Sequence, residues 1–122
     1  MTKDRIIVTS GNYDFLTADD ITFLQKCRSK GDWLIVGLHS DMAVHLQTNT
    51  LFNTYDDRQK ILQGLWSVDE VLRFADNDGT CCNLLKLVKI IYPNTNITYV
   101  SKHDMLNMPE TKIRGITFEV LN

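Results

Sequence analysis

The sequence predicts an α/β fold, a parallel sheet of about five strands covered by helices, and three observations carry that prediction. Short apolar, β-branched runs recur at Ile6-Ile7-Val8-Thr9, at Trp33-Leu34-Ile35-Val36-Gly37-Leu38 and from Ile97 to Val100. The central runs are apolar at successive positions rather than alternate ones, as strands buried on both faces are. Between the runs lie segments whose apolar residues recur at helical spacing. Repeated strand–helix units of this kind build a parallel sheet with helices on its faces.

Each element follows in order. Ile6 to Thr9 is the first strand, broken by Ser10-Gly11-Asn12. From Asp19 to about Lys30, Ile21, Phe23, Leu24 and Cys27 mark one face of a helix. Gly31 stands where a helix C-terminal glycine is expected. Trp33 to Leu38 is the second strand, and Asp41 to Thr54 reads as a short helix plus a loop. Tyr55 to Trp66 is helical with Ile61, Leu62 and Leu65 on one face, and Val68 to Phe74 is a short third strand. Asp76-Asn77-Asp78-Gly79 is a turn, Thr80 the expected N-cap, and Cys81 to Ile91 the next helix. Pro93 to Asn96 turns into a fourth strand, Ile97 to Val100, and Ile116 to Val120 is a fifth. Ligands of such sheets bind beyond the carboxyl ends of the strands, where the strand order reverses. That points to the loops Ser10–Asp20 and Ser101–Asp104.

The bulk numbers narrow the function classes. A chain of 122 residues, 43% hydrophobic and 23% charged, suits one domain spanning 1–122. A net charge of −2 gives no electrostatic footprint for nucleic acid or an anionic membrane. The run at Ile6 is too short for a signal-peptide core, and no stretch approaches the roughly 20 apolar residues of a membrane span. Cys27, Cys81 and Cys82 are an odd count with two neighbours adjacent, which suggests a reduced, cytoplasmic protein. No Cys-x-x-Cys or His-rich tract suggests a metal. The Asp76–Gly79 turn is like the start of a calcium loop but lacks the later ligands.

Several segments, in order, carry a resemblance. Gly11-Asn12-Tyr13-Asp14-Phe15-Leu16 resembles a Gly-x-Phe-Asp-x-Leu loop, and Gly31 to Asp41 resembles Gly-Asp-x-Leu-Ile-Val-Gly-Val-x-Ser-Asp. Asp57-Arg58 followed by Val68-Asp69-Glu70-Val71, then Asp76 to Cys82, Tyr92-Pro93 and Asp104 with Pro109-Glu110, complete the pattern. Together they resemble the cytidylyltransferase-like nucleotidyltransferases of the glycerol-3-phosphate cytidylyltransferase kind. The resemblance implies a Rossmann-like nucleotidyltransferase fold. It implies transfer of a nucleotidyl group from CTP or ATP to a phosphorylated small molecule, with magnesium and release of pyrophosphate, and a homodimer. Carried over residue by residue, it makes Gly11, Asn12, Tyr13, Asp14, Arg58, Asp104 and Lys112 the nucleotide-binding candidates.

The sequence departs from that family where the chemistry is expected. The family's His-x-Gly-His positions read Thr17-Ala18-Asp19-Asp20. Thr17 is a good N-cap with Asp20 three residues on, close to a capping box, and Asp19 and Asp20 complement the helix dipole. A carboxylate about 4 Å from a phosphate costs roughly 4 kcal/mol at an effective dielectric of ~20. Loss of one preorganised donor costs about 3–4 kcal/mol more. The Asp41–Tyr55 loop has no lysine, and Ser101-Lys102-His103-Asp104-Met105 keeps only Asp104 of a Gly-Gly-Asp-Arg loop. At the C-terminus, Lys112 to Thr117 keeps only the basic charge, Gly115, Ile116 and a hydroxyl of a nucleotide-binding motif. The expectation is a retained scaffold without transferase activity, working as a binding or assembly module with a possible protein partner. The alternatives are a divergent Mg-dependent cytidylyl- or adenylyltransferase and a nucleotide or metabolite sensor.

Individual residues keep two readings each. Arg58 contacts nucleotide or is a solvated or ion-paired helix residue beside Asp56 and Asp57. Asp14 faces ligand or holds the Ser10–Tyr13 turn through backbone amides. His39 stands at the ligand edge or is simply hydrogen-bonded there, and Lys102 with His103 contacts an anion or is exposed loop. Asp14, Asp19 and Asp20 are carboxylates that suit Mg²⁺, with no geometry fixed by spacing. His45 has no partner at ligand spacing, and no activating partner is evident for any cysteine.

Overall fold

A computed structural model describes residues 4–121. Five strands form one wholly parallel sheet in the order β3-β2-β1-β4-β5. β1 is Arg5–Gly11, β2 Trp33–Leu38, β3 Glu70–Arg73, β4 Asn96–Ser101 and β5 Ile116–Val120. The helices are α1 Ala18–Ser29, α2 Asp41–Thr48, α3 Tyr55–Gln63 and α4 Cys82–Ile91, with one 3₁₀ turn at Pro109–Lys112. The strand order reverses at β1, which lies between β2 and β4 with Ile7 level with both Leu34 and Thr98. The loops after β1 and β4 therefore face one another across the switch point, as expected from the sequence.

Both faces of the sheet are buried, which explains the unbroken apolar runs. Ile7, Leu34, Val36 and Leu38 pack against α1 and α3 through Leu24, Cys27 and Leu62. Ile6, Val8 and Ile35 point the other way and pack against α4 through Leu84, Leu85 and Val88. Gly37 lies beneath α4, and a Cβ there would overlap the Leu84 side chain.

Four local expectations change. Gly31 follows the α1 C-cap residue Lys30, but it is not left-handed. It is glycine because a Cβ would stand 2.7 Å from the Arg5 carbonyl oxygen and 2.8 Å from Ile7 Cγ1, so close does the chain pass β1. The N-cap of α4 is Cys81, not Thr80. The Thr80 hydroxyl accepts the Cys82 amide from one position earlier, at 3.2 Å, and is bound to Asp78. α3 ends at Gln63 rather than Trp66, which is 73% exposed. Its buried stripe is Tyr55, Arg58 and Leu62, while Ile61 is 44% exposed. A buried arginine breaks the apolar periodicity on which the Ile61 assignment rested.

Candidate functional site

A cleft of about 590 Å³ opens at the carboxyl ends of β1 and β4, walled by residues 9–15, by the 100–103 segment and by α2. β1 ends in Gly11 because the chain turns back on itself there. Tyr13 takes a left-handed φ of 48°, and its ring lies so close that a Cβ on Gly11 would come within 2.7 Å of it. Burial pushes the Tyr13 hydroxyl pKa far up, with the nearby Cys27 and Asp20 adding to the shift.

Asp14 lines the cleft but does not hold the Ser10–Tyr13 turn. Its carboxylate accepts the amides of Phe52 (2.9 Å) and Asn53 (2.7 Å), and its carbonyl accepts the Asn53 side-chain amide at 2.6 Å. It ties the β1 loop to the segment before α3 rather than holding Ser10–Tyr13. Asn12 reaches α2 by donating to Gln47 Oε1 at 2.7 Å.

Arg58 is neither solvated nor paired with Asp56 or Asp57. It is fully buried. Nη1 donates to the carbonyls of Asn12 and His39 at 2.9 Å each, Nε donates to Asn53 O at 3.1 Å, and Nη2 meets Asp41 Oδ1 at 2.7 Å. One guanidinium thus fixes three loops behind the cleft, the use for which its planar fork of donors is suited.

The start of α1 forms the expected capping box. The Asp20 amide donates to Thr17 Oγ1 at 3.2 Å, and Asp20 Oδ2 accepts the Thr17 amide at 3.0 Å. Asp20 Oδ1 faces Lys102 Nζ at 3.3 Å, so its charge is partly offset. Lys102 also lies over the Phe23 ring, 4.8 Å from the centroid. The two carboxylates lining the cleft, Asp14 and Asp20, therefore spend their oxygens on loop amides, the helix cap and a lysine. Among the described residues no group of three His, Cys, Asp or Glu stands together to hold a metal ion. These residues do not fit a magnesium ion held by the protein itself.

The floor of the cleft holds groups on which sequence reasoning did not focus. Ser10 Oγ is 2.8 Å from Tyr99 Oη and 3.2 Å from Cys81 Sγ. Cys81 Sγ is 4.0 Å from His39 Nε2, and His39 Nδ1 is 3.1 Å from Asp76 Oδ2. His39 is thus hydrogen-bonded at the ligand edge, and its ring packs on Phe74 with centroids 5.4 Å apart. Asp76 accepts Ser40 N–H and Oγ–H as well, at 2.8 Å each. Burial alone would raise the Asp76 pKa, but the bonds from Ser40 and His39 outweigh it and hold the carboxyl below its ordinary value. Cys81 does have a basic neighbour, contrary to the sequence expectation. Its N–H is bonded to the buried Glu110 Oε1 at 3.3 Å, while Glu110 Oε2 has no partner.

Of the sequence candidates, Gly11, Asn12, Tyr13, Asp14 and Asp20 line the cleft, with Lys102 and His103 on its far wall. Arg58 stands behind it. Thr17 and Asp19 are exposed outside it. Asp104 is exposed, with Oδ1 accepting the Leu106 amide at 3.0 Å, and Lys112 is exposed beside Lys86 and Lys89 in a separate groove. Ser10, Tyr99 and the Asp76–Cys81 turn come from three distant segments. Their signals were that Ser10 and Tyr99 lie near the carboxyl ends of adjacent strands and that Asp76 and Cys81 share one turn.

Comparison with known proteins agrees with this fold. Over 89 residues, 71% of this chain, it is 39% identical to the bifunctional protein HldE of Pseudomonas fluorescens and covers 18% of that protein. Over the same length it is 38% identical to the HldE of Pseudomonas putida, again covering 18%. The chain thus spans less than a fifth of the length of these curated relatives. A crystal structure of a lipopolysaccharide core biosynthesis protein from Thermoplasma volcanium superposes with a TM-score of 0.72 at 20% identity, covering 96% of this chain and 95% of the other. That likeness concerns the fold alone. The model of the cytidylyltransferase-like family matches residues 8–120, and the chain belongs to that family.

Proposed function

We propose that this chain is a cytidylyltransferase-like binding module that takes a small polar ligand into its cleft without transferring a nucleotidyl group. The observation that carries this reading is the Thr17–Asp20 capping box. A helix N-terminus binds phosphate with free amides and its positive dipole end. Here Thr17 Oγ1 occupies the Asp20 amide, and a carboxylate sits in the first turn. The resembling family has two histidines in this stretch to stabilise the transferring phosphoryl group, and removal of one such donor typically lowers turnover by roughly 10²–10³-fold. Arg58, one of the two carried-over cations, has its guanidinium bound inside the protein. What favours binding over a purely structural role is the cleft itself, with the polar residues Ser10, Tyr99, Lys102 and His103 in its lining.

The deciding experiment is pyrophosphate release from CTP or ATP with Mg²⁺ and glycerol 3-phosphate or sugar phosphates as acceptors, beside calorimetry of the same nucleotides. No release above the protein-free background is expected. Magnesium-dependent release that scales with protein concentration would establish the divergent transferase instead.

A further inference from the structure

We propose that Cys81 is a nucleophilic thiol, with His39 as its general base and Asp76 as the residue that positions the histidine, and that it accepts the acyl group of a small activated ester or thioester entering the cleft. This goes beyond the binding reading and does not depend on it, because no phosphoryl group is involved.

The geometry has the parts that an activated nucleophile needs: a base within reach and a third group orienting the base. The Asp76 carboxylate, 3.1 Å from Nδ1, holds that nitrogen as the N–H donor of the neutral imidazole. The lone pair then lies on Nε2, the nitrogen facing Sγ at 4.0 Å. Asp76 is itself locked by two bonds from Ser40 and held as a carboxylate. The ring is steadied from one side by Phe74. Ser10 Oγ, fixed by Tyr99, lies 3.2 Å from Sγ and orients the thiol. Cys81 is 7% exposed, and what it exposes lies on the cleft floor. Burial raises the thiol pKa, so the group rests protonated and needs a base at the moment of attack. Cys27 offers a contrast within the same chain: it is wholly in the core, and burial pushes it up to about 12.

The step balances without an outside oxidant or reductant. Sγ bonds to the carbonyl carbon as its proton passes to His39 Nε2. The carbon–oxygen or carbon–sulfur bond to the leaving group breaks, and the leaving group takes the proton from Nε2. The acyl group remains on Cys81 as a thioester. Water then attacks that carbonyl with His39 again taking a proton, which returns to the departing thiol as the free acid leaves.

The test uses p-nitrophenyl acetate on the full chain in a Cys82→Ser background, with peptide mapping of the acetyl adduct and p-nitrophenolate release followed by absorbance. Acetylation is expected at Cys81 and not Cys27. His39→Ala should slow it by about 100-fold, within the range of general-base catalysis, and added imidazole should restore part of the rate. Asp76→Asn should slow acylation at least several-fold when His39 is present and have no further effect in His39→Ala, since it acts through the histidine. If circular dichroism shows that His39→Ala has lost its fold, His39→Gln carries the same comparison. p-Nitrophenolate release that is unchanged in Cys81→Ser, or an unchanged rate in the folded His39 variant, overturns the proposal. So does an Asp76→Asn effect of equal size in both backgrounds.

Discussion

Arg58 and Asp41 form an ion pair of unequal halves: the guanidinium is entirely buried, while 43% of the carboxylate side chain reaches solvent, with 2.7 Å between Nη2 and Oδ1. The pair itself therefore adds little through charge. The weight of Arg58 lies in the three carbonyls it serves, those of Asn12, His39 and Asn53. Arg58→Ala leaves those acceptors unmatched around a cavity and should destabilise the chain by about 3–5 kcal/mol in urea unfolding. Asp41→Asn should cost less than about 1 kcal/mol. Equal losses for the two would contradict the assignment.

The contact between Gly37 and Leu84 sets the spacing of α4 on the sheet. Gly37→Ala forces a methyl into the Leu84 side chain and should cost about 1–3 kcal/mol by overpacking. Leu84→Ala made in the same chain should cost less than it does alone, because the new methyl fills part of the space it leaves. Additive losses in chemical denaturation would show that α4 simply moves away.

Thr17→Ala removes the acceptor for the Asp20 amide and should lower stability by about 1 kcal/mol, seen as a lower thermal midpoint. Thr17→Ser should restore most of it. A loss no larger than that of a neutral surface change would mean that the cap adds nothing.

Asp76 ties acid stability to the cleft floor. Its folded pKa lies below the ordinary value of 3.8. Its contribution is therefore complete above that value and is lost as pH falls through the depressed folded value. Asp76→Asn should be less stable than the wild type at neutral pH, and the gap should narrow below about pH 3.8. Urea titrations at several pH values read this directly, and a constant gap would rule out Asp76 as its source.

The fold was legible because its signals are local. Trp33–Leu38 reads as a buried strand from six residues alone, and Thr17 with Asp20 reads as a helix start from four. The cleft could be located too, since it follows from the reversal at β1. The cleft floor could not. Cys81 meets His39 across 42 residues and His39 meets Asp76 across 37, with no motif linking the three. The partners of Arg58 were hidden for a related reason: Asp56 and Asp57 are near it in sequence, but it pairs with Asp41 and serves the loops after β1 and β2. Gly31 shows the same limit for backbone, because the carbonyl that forbids a side chain there belongs to Arg5.

The strand order also sets a timetable for assembly. β1, β2 and β3 come from the first part of the chain and can pair as soon as they exist, but the other edge of β1 must wait for β4. Until then Ile6, Val8 and their hydrogen-bonding groups are an unpaired apolar border of the kind that recruits foreign strands. Tyr99 comes into place beside Val8 only with β4, and Ser10 gains its hydroxyl partner at the same moment. The floor of the cleft is thus completed late, and a chain interrupted before β4 carries a sticky seam where the finished protein has its cleft.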